Sequence, residues 1–292
     1  MHHIGVINTN IGIFPGANGC RLTWHGLLLA VVLFQLIGCS LPANTIVDRA
    51  EGYSEVVSTG NFKHFLAFNK HYQKNGAVVV YIEGDGTPWK TTRQVAIDPT
   101  PHNPLLLDWF LTSNFSSVYL GRPCYFDLDD GQCSSYWYTH GRYSQRVVAS
   151  MVEVLEQQLQ EESLILVGHS GGGTLAMLMA EQLNNVSMVV TIAGNLNVTA
   201  WAEYHQYSPL IGSLDPMVDL MLPTSIKQAH FYSPYDDVIR AVWVKSFALK
   251  QTNVQLIEIP VKGHSEEWML YQQELMTFLK DECLRVGAER QQ

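Results

Sequence analysis

Residues 164–176 read Leu-Ile-Leu-Val-Gly-His-Ser-Gly-Gly-Gly-Thr-Leu-Ala, and little but a strand running straight into a helix accommodates them. Leu164–Val167 is a short apolar run with Glu161, Glu162 and Ser163 before it and glycine after it, the pattern of a buried strand. Thr174–Leu183 is rich in Ala, Leu and Met and predicts a helix. Between them, Gly168-His169-Ser170-Gly171-Gly172 fits G-x-S-x-G in its strand–turn–helix setting. So sharp a turn holds residue 170 in a strained conformation. Glycines two positions to either side let strand and helix approach without a Cβ clash. Ser170 Oγ then points off the carboxyl end of a sheet as a candidate nucleophile. The N–H of Gly171, at the helix N-terminus, is a donor for a developing oxyanion.

The rest of the chain repeats this alternation. Asn61–Phe68, Ala77–Ile82, Val118–Leu120, Met188–Ile192, Ala229–Ser233 and Val254–Ile259 read as strands. The stretch 43–60 reads as a linker into an edge strand. Ser144–Gln160 carries Val147, Val148, Met151, Val154, Leu155 and Leu159 at helical spacing, and Glu266–Val286 is a long final helix. The expected class is α/β, a mainly parallel central sheet covered by helices on both faces. Residues 195–224 are too long for a structureless connection. They carry Trp201, Tyr204, Tyr207, Leu210, Ile211 and Leu214, and predict a small cap that lines the site with apolar surface. His205 within it is expected to pack rather than react.

The chain has 292 residues and a formal net charge of -9, with no Lys/Arg run, which excludes a nucleic-acid partner. Residues 26–38 (GLLLAVVLFQLIG) form an uncharged run that is short for a membrane span and suits a signal-peptide core. Leu36-Ile37-Gly38-Cys39 resembles the bacterial lipobox, which implies that Cys39 is lipidated and carries a membrane anchor. Ser40 after it implies outer-membrane sorting. The expected organisation is a signal peptide over 1–39 and a folded, exported domain over 40–292. In that compartment Cys124 and Cys133, flanking the short acidic loop YFDLDDGQ, are expected to form a disulfide. Cys283 is left as a buried thiol. Asp127, Asp129 and Asp130 lack the glycine and terminal Glu of a calcium loop, and no metal is expected.

A serine needs a base to take its proton, and the base needs a carboxylate to fix its tautomer. Asp236-Asp237-Val238-Ile239 and Gly263-His264 each follow a predicted strand, at the same sheet edge as Ser170. With these residues in order, the chain from about residue 50 resembles an α/β-hydrolase fold serine hydrolase. EGDGTPW, GRPCYF, WYTHGRYSQRVV and SPLIGSLDP resemble a group of bacterial exported or lipoprotein hydrolases. The family's acid loop implies Asp236 as the triad acid, with Asp237 as the runner-up, and its Gly-His implies His264 as the base. The second oxyanion donor should follow the strand Ala77–Ile82. Aligning Glu83-Gly84 with the family's His-Gly makes it the N–H of Asp85, and sliding by two makes it Thr87. The alternative role for Glu83 is structural, hydrogen-bonding local backbone. The Asp85 carboxylate is expected to point away from Ser170, because a negative charge there opposes an oxyanion. The His169 side chain is expected to project elsewhere from the turn. The resemblance implies hydrolysis of an ester or related acyl bond through an acyl-enzyme, without a cofactor, on a small-molecule or lipid-like acyl substrate. A peptidase, a thioesterase or a non-catalytic envelope binding protein on the same fold are the alternatives.

Overall fold

The computed structural model describes residues 51–128 and 130–289. The expected signal peptide and lipobox-like segment, with Cys39, lie outside the described residues.

The strands are β1 (Tyr53–Ser58), β2 (Lys63–Phe68), β3 (Ala77–Ile82), β4 (Trp89–Thr91), β5 (Gln94–Val95), β6 (Ser117–Leu120), β7 (Ser163–His169), β8 (Val186–Ile192), β9 (Lys227–Tyr232) and β10 (Val254–Glu258). Eight of them form one sheet in the order β1-β2-β6-β3-β7-β8-β9-β10, and β4 and β5 make a separate two-stranded ribbon. The pairs β1–β2 and β2–β6 are antiparallel, and every later pair is parallel. The helices are α1 (Leu105–Thr112), α2 (Gln145–Gln158), α3 (Gly171–Ala180), α4 (Val198–Tyr204), α5 (Pro216–Asp219), α6 (Ala241–Ala248) and α7 (Gln272–Glu289).

Two cores result, one on each face, and the period-2 geometry of the strands assigns residues to them. Val78, Val80 and Ile82 of β3 and Leu164 and Leu166 of β7 join one core with the apolar stripes of α2, α3 and α6. Ala77, Val79 and Tyr81 of β3 and Ile165 and Val167 of β7 join the other with α1 and α7. β3 is buried at every residue, as a strand covered on both faces must be. Helix α2 starts where a serine can cap it: Ser144 Oγ accepts from the N–H of Val147.

Three expectations need correction. The helix after Ser170 starts at Gly171 rather than Thr174. The final helix is preceded by a separate 3₁₀ segment, Glu266–Tyr271. Helices α1 and α6 were not expected. α1 has no capping side chain of its own. Its start is held by the residue after β3 instead, because Glu83 Oε2 accepts from the N–H groups of Leu106 (2.9 Å) and Leu107 (3.3 Å). Glu83 is therefore a cap supplied by a distant part of the chain, and Oε1 also accepts from the N–H of Gly84.

Candidate active site

β7 ends at His169, α3 begins at Gly171, and the single residue between them is bent hard. Ser170 has φ 51° and ψ -120°, a region costly for a side-chain-bearing residue. Close approach on both sides explains the glycines. A Cβ on Gly168 would lie 2.2 Å from the carbonyl oxygen of Gly172. One on Gly172 would lie 2.1 Å from the carbonyl oxygen of Ile82. The Ser170 N–H donates to Ile192 on β8, and its carbonyl accepts from Gly173 and Asn195, so the turn is pinned at both ends.

Three of the predicted residues meet here. His264 Nε2 lies 2.8 Å from Ser170 Oγ, and His264 Nδ1 lies 2.8 Å from Asp236 Oδ2. Asp236 is buried, and its second oxygen accepts from the N–H groups of Val238 and Ile239, both at 2.9 Å. Asp237 is exposed and takes no part. The β9 and β10 loops that carry Asp236 and His264 are tied together. Tyr235 bridges Lys262 in parallel, and Ser233 Oγ donates to the carbonyl of Val261. Burial holds the His264 imidazole below its ordinary value. The Asp236 carboxylate pulls the other way, and the neighbouring His169 ring reinforces the depression.

His169 does not project away from the site. Its Nε2–H donates to the main-chain carbonyl of His264 at 2.9 Å, and the two rings are 5.1 Å apart. Glu83 Oε1 lies 3.6 Å from His169 Nδ1. The residue before the candidate nucleophile thus fixes the backbone of the candidate base.

The turn after β3 distinguishes the two oxyanion candidates. The Thr87 N–H donates to the carbonyl of Pro99 at 2.8 Å and is committed there. Asp85, the expected donor, has its own carbonyl held by Tyr125 Oη at 2.8 Å. Its carboxylate, expected to point away from Ser170, packs instead beside the turn: a Cβ on Gly171 would meet Asp85 Oδ1 at 2.2 Å. The reason is charge. Arg122 contacts Oδ1 at 2.7 Å, and Arg142 and Tyr143 contact Oδ2 at 2.8 and 2.7 Å. Burial alone would push this carboxyl up, but the Arg142 and Arg122 guanidiniums override it and hold the group well below the usual range. Two buried cations against one anion leave the cluster positive, which removes the objection to a carboxylate here. Sequence reasoning assigned no role to Arg122, Arg142, Tyr143 or His169. The available signal was an arginine directly after a buried strand, at Gly121-Arg122.

The cleft above Ser170 has a volume of about 1030 Å³. The expected cap consists of α4, α5 and irregular chain, and Trp201, His205, Tyr207 and Leu210 from it line the cleft. The cap supplies apolar surface through Trp201, Tyr207 and Leu210, and sets His205, Gln206 and Ser208 beside it. His205 packs, stacked on Tyr207, with Nε2 at 2.9 Å from the carbonyl of Val238. Cys124 and Cys133 form the expected disulfide, with Cα atoms 5.4 Å apart, and Cys283 is free and buried. Among the described residues no cluster of His, Cys, Asp or Glu has metal-binding geometry.

Residues 121–216 match the model of the alpha/beta hydrolase fold family. No curated protein sequence matches the chain. Several solved structures are similar in fold. An α/β serine hydrolase without a lid from Xanthomonas campestris is 13% identical, with a TM-score of 0.52, over 80% of this chain and 94% of that one. A Pyrococcus furiosus esterase is 12% identical, with a TM-score of 0.58, over 82% and 94%. A proline iminopeptidase from Mycobacterium smegmatis is 10% identical, with a TM-score of 0.57, over 80% and 99%. The strand order, with its antiparallel second strand and its sharp turn after β7, agrees with these likenesses, and the chain belongs to the α/β-hydrolase fold.

Proposed function

We propose that the protein is a serine hydrolase that cleaves an ester or related acyl bond through an acyl-enzyme. The observation that carries this is the continuous chain from Ser170 Oγ through His264 to Asp236, with both contacts at 2.8 Å. Ser170 attacks the carbonyl as His264 Nε2 takes its proton. Asp236, whose other lone pairs are occupied by backbone N–H groups, keeps the Nδ1–H tautomer in place and stabilises the imidazolium. The oxyanion is received by the N–H of Gly171, an otherwise unused donor of the first helical turn, and by that of Asp85. His264 returns the proton to the leaving group, and water repeats the sequence to free the acid. No cofactor enters these steps.

The likenesses in fold include an esterase and a peptidase, so the choice between acyl bonds rests on the cleft and not on the fold. The experiment is labelling with a fluorophosphonate probe, with p-nitrophenyl acetate hydrolysis beside it. Wild type should label at Ser170, and Ser170→Ala should lose about 10⁶ in turnover while keeping its thermal melt. A folded wild type that neither labels nor turns over would identify a binding protein on this fold instead.

Location belongs to the same reading. Cys39, the lipidated residue of a lipobox-like segment, anchors the enzyme to the bacterial outer membrane. The Cys124–Cys133 disulfide supports an oxidising compartment. No helix among the described residues is long and apolar enough to cross a membrane.

A further inference from the structure

The cleft is large and its walls are unlike an acyl-chain groove. A fatty chain gains roughly 0.8 kcal/mol for each CH₂ it buries, and needs continuous aliphatic surface to do so. Two prolines aside, the aliphatic side chains lining this cleft are Leu210 and Val238. The aliphatic residues of the cap are spent elsewhere: Ile211, Val218 and Met221 are exposed and do not line the cleft.

What the cleft offers is flat rings with hydrogen-bonding groups around them. Trp89, on the two-stranded ribbon, is 38% exposed, and Tyr207, from the cap, is 55% exposed. Trp201 packs against Tyr207 with ring centroids 5.1 Å apart, and its indole N–H finds no acceptor among the described residues. Thr92, His102, Asn103, Gln206 and Ser208 also line the cleft. They are polar and exposed at the cleft walls, where they can exchange water for the hydroxyls of a ligand. A sugar ring has the complementary chemistry: faces of C–H groups that lie on aromatic rings, and an edge of hydroxyls that both donate and accept.

We infer that the substrate is an ester joining a short acyl group, of acetyl size, to a glycosyl unit. This rests on the serine-hydrolase reading above. The acyl carbonyl sits at Ser170, and the sugar occupies the ring-lined part of the cleft as the leaving group. The ester C–O bond breaks, the acyl group bonds to Ser170 Oγ, and the sugar hydroxyl leaves with the proton that His264 took from Ser170. Water then adds across the acyl–Ser170 bond to release the short acid and restore the serine.

The test compares kcat/KM for acetylated xylotetraose, p-nitrophenyl acetate and p-nitrophenyl decanoate. The acetylated oligosaccharide should be preferred over p-nitrophenyl decanoate by at least about a hundredfold. In Trp89→Ala and Trp201→Ala the ratio of kcat/KM for the oligosaccharide to that for p-nitrophenyl acetate should fall about tenfold, mainly through KM, as loss of one ring stack implies. Should Trp201→Ala fail to fold, Trp89→Ala carries the same test from its exposed ribbon. Preference for the decanoate, or an unchanged ratio in Trp89→Ala, overturns the sugar assignment and leaves the serine hydrolase standing. Absence of turnover on all three, with no fluorophosphonate labelling, removes both readings.

Discussion

Asp236 and Asp237 are neighbours in sequence and opposites in environment. Asp236 is buried against His264 with both oxygens occupied, whereas Asp237 is exposed. Asp236→Asn should therefore lower turnover by about 10⁴, as loss of the correct tautomer does, and Asp237→Asn should change it by less than about threefold, within the range of substitutions at exposed sites. Steady-state kinetics on p-nitrophenyl acetate decides, and the reverse ranking would move the acid by one residue. The base carries a second expectation. Burial lowers the His264 pKa, so its neutral, proton-accepting form persists to lower pH than for a free imidazole. The acid limb of kcat/KM should have its midpoint below about 6.5, the ordinary histidine value. A midpoint above 7 would mean that the Asp236 carboxylate, and not burial, dominates.

At the scale of elements, the loop after β6 supports the turn after β3. Arg122 and Tyr125 both come from that loop, one holding the Asp85 carboxylate and the other its carbonyl, and the Cys124–Cys133 bridge closes the same loop. Cys124→Ser/Cys133→Ser should consequently lose activity over a temperature range in which the sheet is still folded. Parallel melts read by turnover and by far-ultraviolet circular dichroism test this, and coincident curves would count against it. Elements with a pattern of their own could be read in the chain: β3 and β7 are continuous apolar runs buried on both faces, and α2 carries an apolar stripe. Those held by distant groups could not. α1 depends on the Glu83 carboxylate just after β3, and α3 starts among three glycines that helix propensity disfavours. Close approach, not propensity, put them there: β3 and Asp85 leave no room for a Cβ at Gly172 or Gly171. Ser170, Asp236 and His264 were readable because each sits just after a strand. Of the residues that brace them, Arg122, Tyr125 and Arg142 come from loops with no regular spacing, and His169 ends β7.

Among the described residues, His64 and His230 lie in the cores with no exposed surface. His64 lies between the carbonyl of Gly121 and Ser150 Oγ, and His230 contacts Thr191 Oγ1. Burial pushes their pKa values down to about 4 and about 3. Unfolding restores both to about 6.5. Below that pH the unfolded chain binds protons that the folded one refuses, so their contribution to stability is complete above about 6.5 and is lost as pH falls toward the folded values. Between pH 6 and 4 each should steepen the fall by up to about 1.4 kcal/mol per pH unit. Urea unfolding of His64→Gln across this window should show a slope shallower by about that amount. An unchanged slope would mean that His64 is protonated inside the fold.

The Asp85 cluster has a consequence for descent. Arg122 and Arg142 are both buried, and each relies on the same carboxylate. Losing Asp85 alone strands two like charges side by side, and losing one arginine alone weakens the hold on the loop that carries a proposed oxyanion donor. Each single step away from the trio passes through a less fit intermediate, because truncating one member of a buried ionic network leaves the others uncompensated. Divergence at these positions should accordingly be inherited as a block: lineages that share Asp85 should keep both arginines, and those that lack it should have replaced all three.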